Sequence, residues 1–78
     1  MGNVDSLVND LLDKGEKLPW DEFCNSFPTR RMMTPEYFVL HFPLSPAFAL
    51  ELSVFKGNYL KHDSHIAIRV EQLMFTLP

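Results

Sequence analysis

Thr34-Pro35-Glu36-Tyr37-Phe38-Val39-Leu40-His41-Phe42-Pro43 runs straight into Leu44-Ser45-Pro46-Ala47-Phe48-Ala49-Leu50-Glu51-Leu52-Ser53-Val54-Phe55-Lys56-Gly57. Twice a hydroxyl residue stands directly before a proline, and twice an apolar run follows. Read as helix starts, Thr34 and Ser45 are caps, Pro35 and Pro46 fix φ at the first helical position, and Glu36 places a carboxylate near the positive end of the helix dipole. On that reading Tyr37 to Phe42 is a short helix stopped by Pro43. The next helix carries Phe48, Leu52 and Phe55 on one face and ends at Gly57 as its C′ glycine.

Working toward the N-terminus, Val4, Leu7, Val8, Leu11 and Leu12 form one apolar stripe at helical spacing over residues 3–15. Asn3 is the expected cap, Asp5 lies in the first turn, Lys14 in the last, and Gly15 supplies the left-handed stop. Pro19 opens a second helix with Trp20, Phe23, Cys24 and Phe27 on one face, and Pro28 closes it. The segment from Pro28 to Met33 is then a connector. Toward the C-terminus, Ile66, Val70, Leu73, Met74 and Leu77 recur at helical spacing after Asp63-Ser64.

The expected fold is therefore all-α, a compact bundle of about five short helices. The rival is α+β: residues 37–42, 47–55 and 65–76 become a small three-stranded antiparallel sheet behind the N-terminal helices. Aromatic and β-branched residues are frequent there, and Ile66, Ile68 and Val70 alternate with Ala67 and Arg69. Against the sheet, the alternation breaks at Gln72-Leu73-Met74-Phe75, and residues 47–55 are rich in Ala, Leu and Glu.

Seventy-eight residues make one domain, 1–78, near the size at which one core barely suffices without disulfides, metal or self-association. The single cysteine, Cys24, forms no internal disulfide and has no neighbouring ligands for a zinc site. With 46% hydrophobic residues, including seven Phe, the chain has more apolar surface than so small a core can hide. That surplus predicts an exposed patch and hence a partner. The sequence ends on an apolar face without a polar tail, as a domain cut from a longer protein would.

Charge is uneven. Residues 1–29 set six carboxylates against Lys14 and Lys17, a net −4, while residues 30–78 sum to +1. Phosphate neutralisation would demand a basic footprint, so nucleic acid is a disfavoured partner. No apolar run is long enough to span a membrane and no secretory signal is present. A lone cysteine fits a reducing compartment, so the expected location is intracellular, cytoplasmic or nuclear.

No catalytic residues, cofactor-binding residues or metal ligands are assigned, and no enzyme activity is expected. Cys24 with His41, His62 or His65 is the conceivable Cys-His pairing, but its spacing offers no orienting group. His62-Asp63-Ser64-His65 gives two usable ligands where a metal needs three or four, and a cap at Asp63 or Ser64 explains it more simply. The three glycines, Gly2, Gly15 and Gly57, build no phosphate loop. Met1-Gly2-Asn3-Val4-Asp5-Ser6 matches the myristoylation pattern, but it sits among acidic residues and reads as a chance match or a remnant of cloning.

The expected function is non-enzymatic protein–protein interaction, as an adaptor or scaffold domain that binds a partner or a second copy of itself through an exposed aromatic and aliphatic surface. Arg30 and Arg31 in the connector, Asp10 and Asp13 on the first helix, and Tyr37 and Phe38 are the expected contact residues. The alternative is a helix-turn-helix or winged-helix nucleic-acid binder that uses the 34–42 helix in the groove. That helix offers Glu36, His41 and mostly apolar groups where base reading requires Arg, Lys, Asn or Gln.

Overall fold

The computed structural model describes residues 2–57 and 66–74, and the His62 to His65 segment lies outside them. Two helices, α1 (Gly2–Lys17) and α2 (Trp20–Asn25), are followed by four strands: β1 (Arg31–Thr34), β2 (Tyr37–Ser45), β3 (Phe48–Lys56) and β4 (Ile66–Met74). The strands form one antiparallel sheet in sequence order, a meander.

The five-helix expectation is thus overturned: the fold is α+β. The α+β alternative placed three of the strands but missed β1, which the sequence reading took as connector. A helix over Tyr37 to Phe42 would be less than two turns long between prolines, leaving most of its end groups unpaired. Paired as β2, the same residues bond to β3 along one side and, over residues 37–39, to β1 along the other. The proposed recognition helix of a helix-turn-helix domain is therefore a strand.

The two hydroxyl-proline pairs make turns. Thr34 Oγ1 accepts a hydrogen bond from the Glu36 N–H (3.1 Å), and Ser45 Oγ accepts one from the Ala47 N–H (3.3 Å). Such a bond from residue i+2 serves a helix cap and a tight turn equally. Each pair closes a two-residue hairpin, Thr34 opposite Tyr37 and Ser45 opposite Phe48. Proline holds φ negative, which excludes the primed turns that best match strand twist. Both hairpins accordingly show a register irregularity in the strand entering the turn, at Met33 and at Leu44.

Along β2 and β3, Phe38, Leu40 and Phe42 share a face with Leu50, Leu52 and Val54, and Ile66 and Ile68 of β4 extend it. The apolar stripe of α1 packs on this face through Leu11 and the partly buried Val4, Leu7, Val8 and Leu12, as expected from their spacing. α2 adds Phe23 and Cys24. Trp20, Phe23, Phe27 and Phe38 form an aromatic cluster with ring centroids 5.2–6.0 Å apart. The Trp20 Nε1–H donates to the Pro35 carbonyl (2.7 Å), which ties α2 to the first hairpin turn.

Gly15 is no helix stop. It lies inside α1, which runs on to Lys17, and Gly57 likewise follows a strand. A Cβ on Gly15 would overlap Ile66 Cδ1 and approach Ile66 Cγ1 to 3.0 Å. Glycine is there because α1 crosses β4 at contact distance. Gly15→Ala is expected to lower stability by about 1–2 kcal/mol, since overpacking against a buried isoleucine outweighs the helix preference of alanine. Urea titration checks this; an unchanged or raised midpoint would contradict it.

Candidate interaction surface

The sheet has one face under the helices; the other, open in that no described helix packs on it, still buries Val39 and Ala49. Across the open face the strand register sets rows of side chains, the last of them Pro43, Ala49 and Leu73. Tyr37 stacks on Phe55 with centroids 4.4 Å apart; Arg31, Val39, Ser53 and Arg69 follow; then come His41, Glu51 and Glu71. His41 Nδ1 lies 3.4 Å from Glu51 Oε2. Glu71 faces Glu51 from the other side, and like charges directly opposite in a sheet repel.

On the helix side, burial falls away along β4. Ile66 is 2% exposed, Val70 42% and Met74 77%. The helices therefore cover the Ile66 end and leave the Met74 end uncovered. Half-buried Phe48 pairs with Met74 in that region, beside the still buried Leu50, and Leu44, 59% exposed, protrudes at the adjoining irregularity. Phe48, Val70 and Met74, with Leu44 at the rim, make an apolar strip interrupted by Gln72.

The two lateral edges of the sheet differ. On one side β1 pairs only with residues 37–39, so the rest of β2 is an edge among the described residues. That edge carries Pro43, which has no N–H to donate, together with the irregularities at Met33 and Leu44. Met32 and Met33 are exposed there. On the other side β4 pairs with β3 in unbroken register over nine residues and contains neither proline nor glycine. Its outer backbone groups form a regular row with no strand beyond them among the described residues.

The residues expected to make contacts are scattered. Asp10 and Asp13 are exposed on α1, and Asp13 pairs with Lys17 at 3.1 Å. Arg30 turns back on its own chain, donating to the Phe27 carbonyl (3.2 Å) and Asn25 Oδ1 (3.0 Å). Arg31 is exposed on the open face, and Tyr37 is half-buried against Phe55. Phe38 is wholly buried in the aromatic cluster, so it has no surface to offer a partner. Sequence reading missed Leu44, Val70 and Met74. Val70 and Met74 project to the same face as buried Ile66 and Leu52, so strand period alone does not separate them from the core.

Cys24 is buried against α1 and the sheet, and burial pushes its thiol above the ordinary 9.0, with the Arg30 charge pulling the other way. The thiol binds its proton more tightly when folded, so this contribution to stability is complete below pH 9.0 and is lost as pH rises through the folded value. Alkylation at neutral pH is expected to be far slower in the native chain than in denaturant. The melting-temperature gap between wild type and Cys24→Ala should narrow above about pH 9. Equal alkylation rates would place the thiol at the surface.

Among the described residues, no group of three or more His, Cys, Asp or Glu side chains is placed to hold a metal ion. No described helix is long and apolar enough to cross a membrane. Compared with protein-family models, curated proteins and solved structures, the chain matches none.

Proposed function

We propose that this domain acts without catalysis, as a protein-interaction module whose contact surface is the uncovered end of the sheet around Leu44, Phe48, Val70 and Met74. The observation that carries the reading is the exposure of Leu44, Val70 and Met74, with half-buried Phe48 paired to Met74, while equally apolar residues a few positions away are fully buried. Keeping large side chains in water gains nothing for an isolated domain, and a contiguous patch of them is the usual mark of a binding surface. The charges proposed at the outset to orient a partner contribute less, because Asp13 and Arg30 are engaged within the chain.

A photo-crosslinking residue placed at Leu44 tests the reading in cells that express the protein. The expected product is a discrete protein adduct, identified by mass, that is absent when the same residue replaces exposed Glu22 on α2. Equal, diffuse labelling at both positions would overturn the assignment of this surface.

A further inference from the structure

We infer that the occupant of the β4 edge is a second copy of this chain, paired antiparallel through a two-fold axis at Val70. The inference rests on the reading of the uncovered sheet end as an interaction surface, and it names the partner. A two-fold axis relating antiparallel edge strands stands perpendicular to the sheet, so each residue meets one from the same face. Near the middle of β4 that leaves three registers. Centring on Arg69 sets arginine opposite arginine, and centring on Glu71 sets glutamate opposite glutamate. Centring on Val70 sets Arg69 opposite Glu71 of the second copy and Glu71 opposite its Arg69.

The sequence Arg69-Val70-Glu71 is thus self-complementary about its central residue, and charge selects the register. Within one chain, Glu71 has a carboxylate, Glu51, across from it, and Arg69 has Ser53. Neither Arg69 nor Glu71 forms an ion pair among the described residues. Pairing at Val70 gives both their counter-ions. On the helix side, exposed Val70 meets Val70 of the second copy. Met74 comes opposite its Ile66, where α1 crosses that strand at Gly15. The most exposed apolar residues of β4 are those this pairing covers. The opposite edge, with its prolines and irregularities, is unsuited to the same role.

Sedimentation equilibrium of the chain over a concentration series tests the inference, with Arg69→Glu, Glu71→Arg and the double variant that exchanges the two. Wild type is expected to dimerise. Each single reversal should weaken dimerisation by about tenfold or more, because two attractive pairs become two repulsive ones, and the double exchange should restore it. Both positions are exposed, so each variant is expected to keep its sheet, which circular dichroism checks. Higher salt should narrow the differences. A wild type that stays monomeric throughout overturns the second copy as occupant, while an adduct at Leu44 would still support the interaction reading. A dimer indifferent to the single reversals overturns the edge, and a double exchange that restores nothing overturns the register.

Discussion

Phe38→Ala is expected to cost about 3–5 kcal/mol of folding stability and to leave a large part of the population unfolded. Phe38 has no exposed surface, and its ring lies 5.5–5.8 Å from the ring centres of Trp20, Phe23 and Phe27. It is also paired within the ladder, opposite Val54 on β3 and Met32 on β1. Truncation therefore empties the junction between α2 and the sheet and removes three aromatic pairs worth roughly 0.5–1.5 kcal/mol each beyond their area. A chain of this length has about 4–12 kcal/mol in total. Urea titration followed by near-ultraviolet dichroism checks the loss. Phe48→Ala serves as the control: the same deletion at the uncovered sheet end is expected to cost about 1 kcal/mol or less. Equal costs at the two positions would mean that the helices do not lie where burial places them.

The N-terminal helices were legible because their spacing admits one period. Val4, Leu7, Val8, Leu11 and Leu12 combine steps of three, one, three and one, which no strand can place on a single face. The C-terminal half was misread because its steps are ambiguous. Ile66, Val70 and Met74 are four apart, and four is both close to a helical turn and twice the strand repeat. Phe48 and Leu52 are likewise four apart and do share a face, as a strand. Phe55, grouped with them on helical spacing, lies on the opposite face against Tyr37. The Thr34-Pro35 and Ser45-Pro46 pairs misled for a similar reason: the hydroxyl-to-backbone bond that starts a helix also closes a hairpin. Prolines at 35, 43 and 46 leave too few residues between them for helices, and spacing them against strand length would have pointed to the meander. The contact surface was less legible, since whether Val70 or Leu52 is covered depends on where α1 ends over the sheet, and no local pattern carries that.

Leu52 and Val70 turn that boundary into a measurement. They sit directly opposite each other on neighbouring strands and project to the same face, yet Leu52 is wholly buried and Val70 is 42% exposed. Leu52 lies in β3, flanked on both sides by paired strands and packed with Leu40, Val54 and the α1 stripe. Leu52→Ala is expected to cost about 2–5 kcal/mol, its lost transfer energy plus the cavity that a rigid two-layer core cannot close. Val70→Ala removes a side chain already half in water and should cost the monomer about 1 kcal/mol or less. The two variants should also separate by assay. Val70→Ala is expected to weaken self-association while leaving the urea midpoint of the dilute monomer nearly unchanged, whereas Leu52→Ala lowers that midpoint at every concentration. If Val70→Ala proves as destabilising in the monomer as Leu52→Ala, then the helical layer reaches further along β4 than its exposure shows. The strip would then be core, with no surface left for a partner to bind.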